Sequence, residues 1–334
     1  MRKPDPLEAI LEEQRAIERR GFADIGDLVT WDDLRGEYAD VEWAWRYWLP
    51  IGFVTMLAAA PGIGKSLFAL TVARIVAQGG VWPNGDAYHA AKGSKVLWVE
   101  TESGEPFHIK RAEAIGLNRR NIVSTRVRGE SEHTPVLTQQ ATRDRVEGIL
   151  EHPHVSMAIV DSFSGSHSLD ENSTQAGMVM KWLAECAKRT QKPILVVHHM
   201  NKTGMRQGEV APTMADIRGS SSIIQFARVV WTLDTPDTSR PHILRLSCLK
   251  SNLDAKQPAI GIEIQDQGRL HWTNAPLSQA DYLRNEVRER IQAYLDQHPN
   301  ASRAQIAQAI DVAQTVVADI LDASSRIFDN DPPF

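Results

Sequence analysis

Residues Ala60, Pro61, Gly62, Ile63, Gly64, Lys65, Ser66 and Leu67 form a stretch whose types and order can hold a phosphate. Glycines let a backbone wrap an anion, so that successive N–H groups and the first turn of a following helix point at it. Lys65 is then placed to reach the β- and γ-phosphates of a nucleoside triphosphate, and the Ser66 hydroxyl to bind Mg2+. The stretch departs from G-x-x-x-x-G-K-[ST] at its first position, which is Ala59. That position shapes the start of the loop more than it touches phosphate, and Pro61-Gly62 retains the tight turn. ATP and Mg2+ are the expected cofactors.

Such chemistry needs a second acid for the metal. Met157-Ala158-Ile159-Val160-Asp161, an apolar run ending in a carboxylate about 100 residues after the phosphate loop, supplies Asp161 beside Ser66. It also needs a group that orients water. The apolar run 96–99 leads into Glu100-Thr101-Glu102-Ser103, and a carboxylate there can polarise water against the γ-phosphate. Glu102 is taken over Glu100, the competing role being a charge at the start of the next helix. The run 193–198 leads into His198-His199, either of which can sense a phosphate by hydrogen bonding. Metal binding by this pair is not expected, because adjacent strand residues face opposite sides.

These groups require a particular scaffold. Short apolar runs at 54–58, 96–99, 121–125, 155–160, 193–198, 228–233, 243–248 and 259–264 read as strands. Helical patterns at 65–78, 105–115, 138–151, 172–190 and 217–227 lie among them. Unbroken apolar strands alternating with helices predict an α/β fold with a mostly parallel sheet covered on both faces. The last three strands, with little helix between them, read as an antiparallel extension. Trp43, Trp45 and Trp48 form either a lid over something flat or a corner of the core, and the core corner is the reading taken.

Together the motifs resemble the RecA-fold P-loop ATPases, and more narrowly the RepA-type subgroup of ring-shaped replicative helicases of plasmids, phages and mobile elements. The resemblance covers about residues 45–275. It rests on APGIGKS, VLWVETESGEPFHIKRAEAIG, MAIVDSFSGSHSLDENST, ILVVHHMNK and DIRGSSSIIQFARVVWTL. It implies that Glu102 activates water and that His199, then His198, senses the γ-phosphate. It implies that Arg218 serves as an arginine finger at a neighbouring subunit's ATP, with Arg228 and Lys250 as weaker candidates. It further implies a homo-oligomeric ring, usually a hexamer, with two loops facing a central channel at about 164–175 and 201–217. Lys202 and Arg206 on the second loop can contact the backbone of single-stranded DNA. The function this implies is a replicative DNA helicase. A RecA/KaiC-like regulatory or recombination ATPase that unwinds nothing is the alternative.

Three segments follow: an acidic extension over 1–40 with an amphipathic helix at 6–20, an ATPase core over 41–275, and a small helical part over 276–334. The last has helical patterns at 281–297, 302–310 and 313–323, the layout of a helix-turn-helix or winged-helix module. Its second reading helix carries Gln314, Asp319 and Asp322 but no Lys or Arg, so a compact cap or partner-docking module is expected rather than a DNA reader. The chain has 334 residues, 42% hydrophobic and 24% charged, with a formal net charge of −5, which excludes a uniformly basic nucleic-acid binder. That charge is uneven: residues 1–40 carry −5, 276–334 carry −4, and 41–275 carry +4. Two cysteines, Cys186 and Cys248, make no disulfide framework and read as buried small residues. No apolar run reaches the roughly 20 residues that span a membrane, and the expectation is a cytoplasmic protein.

Overall fold

The computed structural model describes residues 29–35, 40–130, 134–171, 173–201, 211–219, 221–277 and 279–328. Lys202, Arg206 and the amphipathic stretch 6–20 lie outside the described residues. The chain divides into two compact units, Met1–Val41 and Glu42–Phe334. In the first, Thr30 caps the short helix α1 (Trp31–Leu34). Its side chain accepts from the Asp33 amide while the Asp33 carboxylate accepts the Thr30 N–H at 2.8 Å, a reciprocal capping box.

The second unit is built on strands β1 (Trp43–Trp45), β2 (Leu49–Pro50), β3 (Val54–Ala59), β4 (Gly80–Val81), β5 (Ala87–Tyr88), β6 (Lys95–Glu100), β7 (Ile122–Ser124), β8 (Val155–Asp161), β9 (Ile194–His199), β10 (Val229–Asp234), β11 (Ile243–Ser251), β12 (Ile260–Ile264) and β13 (Leu270–Asn274). Nine of them form one sheet in the order β13-β12-β11-β10-β3-β9-β8-β6-β7. Strands β10, β3, β9, β8, β6 and β7 pair in parallel, and β11, β12 and β13 continue antiparallel. The fold is RecA-like: a mostly parallel sheet whose central strands are apolar on both faces because helices cover both. Those helices are α2 (Lys65–Gln78), α3 (Glu105–Ala114), α4 (Gln140–Glu151), α5 (Thr174–Thr190) and the short α6 (Ser221–Gln225).

The structure corrects two sequence expectations here. The run at 228–233 is the last strand of the parallel body rather than the first of the extension: β10 pairs in parallel with β3 and antiparallel with β11, and the third strand of the extension is β13. That strand escaped the pattern because it is an edge strand with mixed exposure, carrying His271, Thr273 and Asn274. The helix read over 217–227 shrinks to α6, since Met214–Asp216 form a tight 3-10 turn and Ile217 bridges to Met200.

Trp45 and Trp48 are buried and stack with ring centroids 4.9 Å apart. Trp82 stacks on Trp45 at 5.0 Å, and Trp231 of β10 meets it edge-on at 5.6 Å. Trp82 Nε1 donates to the Ala44 carbonyl at 2.8 Å, the polar satisfaction a buried indole needs. The segment is a core corner. Cys186 and Cys248 are buried free thiols, and burial pushes the Cys186 thiol up to about 12.

At the C-terminal end lie α7 (Gln279–Gln297), α8 (Arg303–Ala309) and α9 (Gln314–Phe328). Ile291, Ile306, Ile310, Val317 and Ile320 form an apolar cluster of their own. Ser302 starts α8 with a capping box closed by Gln305, and Asp311 takes a positive φ in the turn before α9. Among the described residues no helix is long and apolar enough to cross a membrane.

Candidate active site

In a parallel sheet the carboxyl ends of the strands share one edge, and ligands bind there where the strand order reverses. Here β3 lies between β9 and β10, and the chain leaves β3 into the phosphate loop. The register puts Ala59 opposite His199 and Glu100 opposite Asp161, with Asp161 opposite Val197, so the four strands that carry candidate residues end within two residues of one another.

The loop takes its shape from two glycines. Gly62 has φ 79° and Gly64, which caps α2, has φ 106°, a left-handed conformation that glycine alone adopts freely. Lys65 is buried, and its Nζ donates to the carbonyls of Ala59 at 3.2 Å and Ala60 at 3.0 Å. Burial pushes its amine down, and the carboxylates of Asp161 and Glu102 pull it back up. Leu67, in the first turn of α2, is buried, with its side chain near Gly268.

Asp161 is 5% exposed. Burial raises its pKa and a hydrogen bond from the Ser66 hydroxyl lowers it, with the first effect larger. Its Oδ2 is buried without a hydrogen-bond partner. A hard cation is the group such an orphaned oxygen beside a hydroxyl suits, so Ser66 and Asp161 fit Mg2+.

Glu102 and Glu100 separate into distinct environments. Glu102 is half exposed; it accepts from the Ser162 hydroxyl, and His199 Nε2 lies 3.3 Å from its Oε1. Glu100 is turned inward and buried. A cleft of about 370 Å3 lies between them, lined by Ser66, Glu100, Glu102, Gly104, His108 and Asp161. A second cavity of about 560 Å3 shares Glu102 and His199 and reaches His167, Glu171 and Arg218.

The two histidines also differ. His198 is fully buried, with Nε2 2.8 Å from the Arg218 carbonyl. Burial lowers its pKa to about 4, so it is neutral at pH 7. His199 is the member that faces the site. Arg218 is largely exposed and forms an ion pair with the buried Glu171 of its own chain at 2.9 Å. Lys250 is committed elsewhere: its Nζ donates to the carbonyls of Ile224 and Ala227 at 3.1 and 2.7 Å, at the end of α6.

A family model described as an AAA domain matches residues 19–205, more than half of the chain. The chain belongs to the AAA domain family. Among solved structures this AAA domain protein is similar to a DnaB-like replicative helicase described together with its interactions with primase. The identity is 13%, the TM-score is 0.53, and 80% of this chain and 72% of that one are covered. It is also similar to a second solved structure, described as an ATPase domain, at 14% identity and TM-score 0.50, over 82% of this chain and 100% of that one. These likenesses establish the RecA-like ATPase fold. No curated protein matches the chain.

The site also contains residues that sequence reasoning missed. Ser162 follows Asp161 directly, and that adjacency was the available signal. Thr101 Oγ1 accepts from Ser162 N and donates to the Ser162 carbonyl, both at 2.8 Å, which locks the ends of β6 and β8 together. His108 and Glu171 carried no signal, being ordinary polar residues in a helix and a loop.

Proposed function

We propose that this AAA domain protein is an ATP-hydrolysing, ring-forming motor that acts on single-stranded DNA, a replicative helicase of a plasmid, phage or mobile element. The observation that supports this most is that Ser66, Asp161 and Glu102, from three strand ends, line one cleft, with His199 of a fourth strand against Glu102 and the Lys65 amine in the field of Asp161 and Glu102. The Ala60–Ser66 backbone cradles the triphosphate, and Lys65 exchanges its two carbonyl partners for phosphate oxygens. Ser66 and Asp161 hold Mg2+, which neutralises charge on the phosphates when bound. Glu102 accepts a proton from the attacking water, and His199, touching Glu102, reports the presence of the γ-phosphate. Arg218 of a neighbouring subunit completes the charge stabilisation once it leaves Glu171. Core residues 41–275 bind DNA, the extension 1–40 and the helical part 276–334 meet protein, and the ring is a hexamer.

The acidic side chains of Asp170 and Glu171 on the second cavity favour the other reading, a RecA/KaiC-like ATPase that assembles without unwinding. ATP turnover with and without single-stranded DNA, beside a forked-duplex unwinding assay, separates the two. Stimulation by DNA that is lost in Lys202→Ala and Arg206→Ala supports the motor; turnover indifferent to DNA with no unwinding removes it.

A further inference from the structure

Glu100 stands two residues before Glu102 and lines the same cleft, so either carboxylate faces the site. Hydrogen bonding separates them. An ionised carboxylate has about four acceptor positions, and four donors occupy those of Glu100. Oε1 accepts from the backbone N–H of Glu102 at 2.9 Å and of Gly104 at 3.2 Å. Oε2 accepts from Trp98 Nε1 at 3.2 Å and pairs with His108 Nε2 at 2.8 Å. No acceptor position is left to take a proton from water. Burial alone would raise its pKa; the hydrogen bonds from His108, Glu102 and Gly104 outweigh burial and keep it below the usual range.

The two backbone donors lie on either side of Ser103, which has φ 56° in the left-handed region. The Glu102–Gly104 turn is thus closed onto one buried carboxylate. A Cβ on Gly104 would lie 2.6 Å from His108 Nε2 and 3.4 Å from Glu100 Oε1, so a side chain there displaces the His108 ring from Glu100. From this closed turn the Glu102 side chain emerges against Ser162 and His199.

We infer that Glu100 is a positioning residue for the hydrolytic step: it clamps the turn that aims the Glu102 carboxylate at the attacking water. The inference rests on the reading of Glu102 as the base. A misplacement of about 1 Å in such a group costs on the order of 100-fold in rate, whereas nucleotide affinity comes from the phosphate loop, which Glu100 does not touch.

The test is steady-state ATP hydrolysis and fluorescent-nucleotide binding on the full chain, for Glu100→Ala, Glu100→Gln, Gly104→Ala, Glu102→Gln and the double variant Glu100→Ala/Glu102→Gln. Glu100→Ala and Gly104→Ala are expected to lower kcat by about 10–100-fold, with KM and nucleotide affinity within about threefold. Glu100→Gln keeps an oxygen for both backbone donors, although its amide nitrogen cannot accept from Trp98 Nε1, and is expected to recover part of kcat. The double variant is expected to be no slower than Glu102→Gln. Normal kcat in Glu100→Ala, equal losses in Glu100→Ala and Glu100→Gln, or a matching loss of nucleotide affinity overturns the inference. If Glu102→Gln is inactive while Glu100→Ala turns over normally, only the positioning role falls. If Glu102→Gln turns over normally, the base reading falls and takes this one with it. Should Glu100→Ala fail to fold, Gly104→Ala and Glu100→Gln carry the same comparison.

Discussion

His199 Nε2 and Glu102 Oε1 approach to 3.3 Å across the intervening strand β8, joining two strand ends that lie 97 residues apart in the chain. The contact couples the proposed phosphate sensor to the proposed base. Glu102→Gln is expected to lower kcat by about 100-fold or more while ATP still binds, because general-base catalysis contributes about 10²–10⁴-fold. Single-turnover hydrolysis beside nucleotide binding checks this. Turnover at the normal rate in Glu102→Gln would falsify the base assignment.

Gly64 has φ 106°, where an L side chain is strained, although its Cβ would meet only Ile264 Cδ1 at 3.7 Å. Space is therefore not the obstacle; backbone conformation is. Gly64→Ala is expected to cost about 1–2 kcal/mol and to abolish nucleotide binding, since the amides of the loop can no longer face an anion. Urea unfolding and nucleotide titration measure the two effects separately.

Arg218 is held by Glu171 within one chain. If it acts at a neighbour's ATP, Lys65→Ala and Arg218→Ala proteins are each inactive alone. Mixed, they regain activity at about a quarter of the interfaces, those that combine an intact Lys65 with an intact Arg218 across the boundary. Absence of recovery on mixing assigns Arg218 to its own subunit. Glu171→Gln releases the arginine, and turnover is then expected to reach its plateau at lower protein concentration.

His198 gives a stability signature. Its pKa falls from 6.5 to about 4 because burial disfavours the charged ring. Between those values the unfolded chain binds more protons than the folded one, so stability falls as pH drops from 6.5 towards 4. The contribution is present in full above pH 6.5 and amounts to at most about 3 kcal/mol. Asp161, raised by burial, acts in the opposite direction, so the effect is read as a difference. Urea midpoints of the wild type and His198→Gln, compared from pH 4 to 7, are expected to show a shallower acid slope in the variant. Parallel slopes reject it.

Much of the scaffold was legible because the central strands are buried on both faces, which leaves runs such as Val54–Ala59 and Met157–Val160 free of polar residues apart from Thr55. The turn of the candidate phosphate loop was legible for a related reason, since positive φ at Gly62 and Gly64 admits few residue types. Strand β13 was not, because an edge strand half in water has no such constraint. Glu100 and Glu102 looked equivalent in sequence. What distinguishes them is the backbone turn between them, which folds one carboxylate back onto its own amides. His108 was invisible for the same reason: only the direction of α3 brings it to within 3.7 Å of Asp161.

The tryptophan corner gives the molecule an optical partition. Trp45, Trp48, Trp82 and Trp231 sit at centroid distances of 4.9–6.1 Å, close enough for their excited states to mix. The last tryptophan in the chain is Trp272, so α7, α8 and α9 contain none. Indole emission therefore carries no signal from those helices, its one source outside the larger unit being the exposed Trp31, while far-ultraviolet dichroism registers the C-terminal helices as well. Recorded together during one melt, the two signals show directly whether those helices unfold with the ATPase body or apart from it.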